Sequence, residues 1–549
     1  MVGLGALRYD GWVHLIAGSL CRKALVCLLL LGPFTLAGDW DGKTTPKDPK
    51  VIKELVEEIA EEYESIARNH DLVQTRRRRE LSRRLGLLPH EDSIKILHRI
   101  FENDSDLRAQ VVAMNSLCAI GNLKAVKRMF RRAKKGGSVL PDYLGPALMH
   151  ATDPEVGPWI VQKVLTSSNK FVRISGVEAV GALRVEQARE PLMALLEKKK
   201  KDIHLRYEIL RALGQIGGEG VWNLMEQSAR DDDWRVRLAA ADVMLIHYRD
   251  DKAIALMRDL LKDKRPIVRE IAAISAGTHK TDALLKELVL LMREGNLRAK
   301  QKSYEALKSI SGQDFGYAPD VWAKWVQDRK MGKLSETGEF KGGERISVGT
   351  YYKFKIFSDR VLFIIDVSGS MNWPDSHPNR IEVAKRELVK AVKSLNEKTL
   401  FNMATFAGHV AAWNPEGEVP ATEANKKKAL AWIDRALLPR GATNTYAALM
   451  EGLEKNAEVD TVFFLSDGIP STGAYEVPEE ILIKLRYANR FRKVIFHTIA
   501  VVLGRPSIEK AEKYEDPDEM AAFMRMIADW NGGTCLELRK PYLDLRDDD

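Results

Sequence analysis

Arg360-Val361-Leu362-Phe363-Ile364-Ile365-Asp366-Val367-Ser368-Gly369-Ser370-Met371 decides how the second half of this 549-residue chain folds. Five apolar residues in unbroken succession read as a strand buried on both faces of a parallel sheet. The strand then runs into an acid, two serines and a glycine. Open parallel sheets bind ligands beyond the carboxyl ends of their strands. The oxygen side chains at 366, 368 and 370 therefore stand where a hard cation could be held.

Outward from this run, strand patterns at 361–366, 400–406, 409–413, 460–466, 493–502 and 534–538 alternate with helical patterns near 379–396, 423–437, 444–457, 477–491 and 518–530. Such alternation predicts a parallel-rich sheet wrapped by helices, with right-handed connections. Two more segments carry candidate chemistry. Arg440-Gly441-Ala442-Thr443-Asn444-Thr445 is a tight loop opening a helix, and Thr461 to Gly468 is a second buried strand that ends in Asp467-Gly468.

Residues 360–540 resemble a von Willebrand factor A-type (vWA) domain, and Asp366, Ser368, Ser370, Thr443 and Asp467 match its metal-ion-dependent adhesion site in order and separation. Ala442 departs from the second glycine common in the family. The resemblance implies an α/β doubly wound (Rossmann-like) fold and a Mg²⁺ site, or one for Mn²⁺ or Ca²⁺. It implies direct ligation by the Ser368 and Ser370 hydroxyls, and by Thr443 directly or through water. Asp366 and Asp467 would act mainly through water, which leaves a position open to an Asp or Glu carboxylate of a protein partner. Magnesium's demand for about six oxygens, several of them water, agrees with such a set.

Other readings of these residues are weaker. Asp-x-Ser-x-Ser could be a helix N-cap, but a cap leaves Thr443 and Asp467 unexplained. A haloacid-dehalogenase-type phosphatase needs a second acid where Ser368 stands, and Val367-Ser368-Gly369 lacks the leading glycine of a nucleophile elbow. His377, His409 and His497 are scattered. The expectation is a non-catalytic domain. Trp373, in the loop beside the proposed ion, reads equally as a partner contact or as a packed ring.

The first half repeats itself. An apolar residue followed by arginine recurs at Leu107-Arg108, Val172-Arg173, Leu205-Arg206, Val236-Arg237, Val268-Arg269 and Leu297-Arg298. From Arg173 onward the spacings are 33, 31, 32 and 29 residues, and the first gap of 65 is about two periods. A period of this size marks a solenoid of stacked helix pairs, and the pattern over about 90–312 resembles HEAT repeats. The recurring arginine is expected to reach a neighbouring unit's turn. Trp322 and Trp325 read as a cap over the last unit. The basic runs Arg76–Arg79, Lys127–Lys135 and Lys198–Lys201 read as solvated helix faces and turns rather than nucleic-acid contacts, since no aromatic platform accompanies them.

Charge is unevenly spread: Lys and Arg number 27 against 30 Asp and Glu in 350–549, and 58 against 47 before that. Of four cysteines, only Cys118 and Cys535 lie outside the first 38 residues, which excludes a disulfide framework. Residues 1–38 carry Arg22-Lys23 and a short apolar run ending in small residues, a secretory signal peptide or signal anchor.

The whole reads as a multidomain chain: leader 1–38, charged helical lead-in 39–89, all-α HEAT-like solenoid 90–329, linker 330–359, vWA domain 360–540 and acidic tail 541–549. The expected function is an exported, periplasmic, cell-surface or secreted adaptor that holds a partner carboxylate through its ion. A second protein surface is expected on the array, with no nucleic-acid partner and no membrane span beyond the leader. The rivals are a scaffold with a merely structural ion, and a Mg²⁺-dependent phosphatase or hydrolase.

Overall fold

The computed structural model describes residues 46, 48–68, 72–134, 148, 151–331, 347–352, 354–372, 379–502 and 517–539. The leader, most of the proposed linker, Trp373, His377 and the acidic tail lie outside them.

Helix pairs stack from Pro49 to Lys330. Their starts are written locally. Asp106, Asn169, Asp202, Asp233 and Asn296 cap five of the first helices with side-chain acceptors, the role these residue types favour at helix N-termini, while the helix from Pro266 starts on its proline instead. The recurring arginines serve the turns. Arg173, Arg237 and Arg269 each donate to the carbonyl six residues upstream, at Ser167, Asp231 and Asp263. Arg206 also reaches Asp231, and Arg237 reaches Asp263, in the following unit. Trp322 is fully buried against Phe315 and donates Nε1 to the Gly316 carbonyl, closing the array.

The lead-in is continuous with this core: Leu81, Leu85 and Leu88 have no exposed surface. That overturns the solvated reading of Arg76–Arg79 over much of its length. Arg77 pairs with Glu62 and Glu80, Arg78 is fully buried against Asp104, and Arg79 is paired with Asp106.

Close helix contact depends on small residues. A Cβ on Gly277 would lie 2.7 Å from the Cα of Ala306 on the next first helix, just as one on Gly181 would lie 2.7 Å from the Cα of Ala212. Backbone cannot yield as a side-chain tip can. Gly277→Ala gains about 1 kcal/mol of helix propensity but overpacks the seam by about 1–3 kcal/mol. The expected outcome is a lower melting temperature by differential scanning calorimetry; a higher one would show that the seam is loose.

In the second half, a small antiparallel hairpin (β1 Thr350–Tyr351, β2 Phe354–Lys355) precedes β3 (Arg360–Asp366). The hairpin falls inside the segment read as a linker. Tyr351 and Ile356 are fully buried in the sheet's core beside Phe363 and Phe463, so the domain begins earlier than the alternation of strands and helices suggests. The remaining strands are β4 (Leu400–Phe406), β5 (Val410–Ala412), β6 (Val419–Pro420), β7 (Thr461–Ser466), β8 (Ile495–Val501) and β9 (Cys535–Leu538). The sheet order is β5-β4-β3-β7-β8-β9, with β6 also on β4; β4, β3, β7, β8 and β9 are mutually parallel. Helices α1 (Arg380–Ser394), α2 (Glu423–Ala436), α3 (Thr445–Lys455), α4 (Pro478–Ala488) and α5 (Pro517–Trp530) separate the strands. Two hydrophobic layers lie on its opposite faces, one around Phe363 and Phe463 and one around Ile364 and Phe464, as alternating side chains of a doubly covered sheet require.

The two halves are docked through α4 and the turn after it. Val477 and Ile483 are buried within the array's hydrophobic core. His204 stacks on Tyr487 at 4.9 Å, and Tyr207 meets Phe491 edge-on at 5.1 Å. Arg490 is held between Glu178 (3.0 Å) and Glu208 (3.4 Å). The last repeat arginine changes task here: Arg298 pairs with Glu270 and donates to the carbonyls of Asp460 and Lys493. At the other end Arg79 reaches Glu519 of α5 at 3.1 Å.

Candidate functional site

The chain leaves β3 for β4 on one side and later returns to β7 on the other. The carboxyl ends of β3 and β7 thus flank the switch point where open α/β sheets form a ligand crevice. Asp366 is the last residue of β3 and is fully buried. Its Oδ1 accepts from the Ser368 amide at 2.7 Å, and its Oδ2 accepts from Ser466 Oγ, the end of β7, at 2.6 Å. One carboxylate therefore ties the two strand tips together.

Ser368 Oγ and Ser370 Oγ are 3.1 Å apart, and Ser370 Oγ donates to Asp467 Oδ1 at 2.8 Å. The third loop is pinned beside them. Arg440 donates its amide to the Val367 carbonyl at 2.6 Å, and the Gly369 amide donates to the Gly441 carbonyl at 3.0 Å. The Thr443 amide donates to Ser471 Oγ at 3.0 Å, and the Asn444 side chain caps α3. All five expected residues thus sit at one rim, with Asp366, Ser368 and Thr443 buried.

Gly468 marks the space between them. A Cβ there would lie 3.5 Å from Thr443 Oγ1 and 3.9 Å from Ser370 Oγ, so the absent side chain leaves both hydroxyls facing a cradle. The donors are two carboxylates and three hydroxyls, an all-oxygen set that suits a hard cation. Among the described residues no cluster of three or more His, Cys, Asp or Glu side chains could hold a metal; this cradle is rich in hydroxyls instead.

Burial, joined by the neighbouring Asp467 charge, pushes the Asp366 carboxyl up to about 7. Burial likewise raises Asp467, opposed by Arg380. Arg380 Nη1 donates to Asp467 Oδ2 at 2.6 Å, with its side chain only 6% exposed. Sequence reasoning missed Arg380. Its signal was the capping pair Asn379 and Glu382, which starts α1 immediately after the loop and sets residue 380 in the first turn.

Among comparisons with known proteins, a family model of HEAT repeats matches residues 157–245 and 223–308, and one of the von Willebrand factor type A domain matches 361–469. Inter-alpha-trypsin inhibitor heavy chain H3 from Bos taurus is 33% identical over 139 residues, which covers 23% of this chain and 15% of that protein. Similar solved structures include a von Willebrand factor type A protein from Catenulispora acidiphila (19% identity, 32% of this chain and 42% of that one, TM-score 0.22). The RO (RSR) protein of Deinococcus radiodurans is similar at 13% identity over 93% of this chain and 99% of that one, with a TM-score of 0.20. Helix pairs at a 29–33-residue period, a doubly wound sheet and the two family models agree: the chain is a HEAT-repeat protein that carries a von Willebrand factor type A domain.

Proposed function

We propose that the rim of β3 and β7 binds a divalent cation of the Mg²⁺, Mn²⁺ or Ca²⁺ type and through it the Asp or Glu carboxylate of a protein partner, without catalysis. Both kinds of module in this chain are generally protein-interaction units, which supports an adaptor role. The observation that carries the reading is the cradle at Gly468, faced by the hydroxyls of Thr443 and Ser370 and backed by Asp467.

Ser368, Ser370 and Thr443 would hold the ion, with Asp366 fixing the loop that carries the serines and Asp467 orienting Ser370. When bound, the ion supplies a positive centre able to accept an outside carboxylate. Among the described residues no helix is long and apolar enough to cross a membrane. With the signal-like leader, we read the chain as exported or anchored by that leader.

The array would offer its second protein surface away from the side that α4 occupies. Capture of partners from the native source by the intact chain is expected to disappear in chelator and to return with added Mg²⁺ or Mn²⁺. Capture indifferent to chelator would favour the array as the sole binding surface.

A further inference from the structure

We infer that Arg380 is the residue that makes the ion-loaded rim selective for anions: its fixed charge keeps the site electropositive after the cation has bound. This rests on the metal reading above and deepens it.

Asp467 stands between the guanidinium and the cradle. One of its oxygens accepts from Ser370, a proposed ligand, and the other accepts from Arg380 at 2.6 Å. Arg380 also lies 3.5 Å from the Ser370 carbonyl. Both side chains are buried, with 0% of the Asp467 side chain exposed, so solvent does little to screen the charge.

The charge balance then sets the preference. In the ionised state that a bound cation favours, Asp366, Asp467 and Arg380 sum to one negative charge. A divalent cation turns this to one positive charge, and a single carboxylate from outside brings the sum to zero. Without Arg380 the loaded rim would already be neutral, and an incoming carboxylate would leave it negative. The arginine therefore weakens ion binding and strengthens carboxylate binding, two effects of opposite sign from one group. An ordinary buried pair that serves only the fold has no reason to move them apart.

The test uses the full chain with Mn²⁺ as the ion and [¹³C]acetate as the carboxylate, read by calorimetry and by paramagnetic broadening of the acetate signal. Arg380→Gln keeps an N–H donor for Asp467 but removes the charge. It is expected to bind Mn²⁺ about tenfold more tightly and acetate about tenfold more weakly, the scale of a neighbouring unit charge. Arg380→Lys keeps the charge and should leave both within about threefold of the wild type on the same grounds.

Equal shifts of both affinities in one direction, or no shift, would overturn the assignment. So would a glutamine variant that fails to melt cooperatively, since Arg380 would then be serving the fold. A wild-type chain that binds no Mn²⁺ would instead overturn the metal reading beneath it.

Discussion

Asp366→Ala is expected to reduce divalent-ion affinity by about 10–100-fold or more, the range seen when groups that orient metal ligands are removed, and to abolish ion-dependent capture of a partner. The carboxylate removes two freedoms at once. It fixes the Ser368 amide, and so the loop that carries both serines, and it binds Ser466 at the tip of β7. It also supplies one of the two carboxylates that the described residues place beside the cradle. Loss of fold would not explain the effect. Burial raises this carboxyl to about 7. A carboxyl whose folded value lies above its unfolded value stabilises the fold less as pH rises through that interval, and the deficit is complete above it. Removing the group relieves that penalty at pH 8 but leaves the Ser368 amide and Ser466 hydroxyl without their acceptor, at about 1–3 kcal/mol each, so the ion-free chain is expected to stay folded with a modestly changed melting temperature. Mn²⁺ titration together with a melting curve checks both halves; undiminished affinity would sink the role of Asp366.

The second large effect concerns the docking of the two halves. Arg490 is buried between Glu178 and Glu208, and these acids are shared with Arg486 and Arg211. Arg490→Glu would place a third carboxylate among them. Breaking a buried pair costs up to about 3–5 kcal/mol when the remaining charge is left uncompensated; Arg486 and Arg211 still partner the two acids and reduce that cost, while charge reversal adds repulsion. Denaturant unfolding is expected to split into separate transitions for array and domain. Adding Glu208→Arg should recover part of the loss, since neighbours in one network are not additive. A variant that unfolds as the wild type does would show that the other contacts between the halves, those of Tyr487, Phe491 and Arg298 among them, carry the docking without Arg490.

What could be read from sequence followed the range of the interaction. The strands at 361–366, 400–406 and 460–466 were legible because an apolar run needs no partner to declare itself. Asp366, Ser368, Ser370 and Asp467 were legible as residues at the exits of buried strands, a property of local order, whereas Thr443, on a loop opening a helix, joined them through the family resemblance. The arginine period was legible for the same reason, and its service to turns six residues upstream is a local contact.

Docking was not legible: Arg490 and Glu178 are 312 residues apart, and no pattern near either names the other. Arg78 looks like one cation in a basic run until Asp104, a buried carboxylate 26 residues on, is placed against it. The hairpin at 350–355 is too short to show a period, and only its buried Tyr351 ties it to the sheet. Arg298 follows the repeat pattern perfectly yet serves a different purpose, because the unit that would follow it is replaced by the sheet domain.

The central claim is that the loops after β3 and β7, with the loop before α3, hold one divalent cation. A crystal of the full chain soaked in Mn²⁺ and recorded near the manganese absorption edge tests it most directly. The account predicts a single anomalous peak within bonding reach of Ser368 Oγ and Ser370 Oγ, on the side of the cradle where Thr443 stands. An empty cradle in a crystal that has taken up Mn²⁺ elsewhere would contradict it.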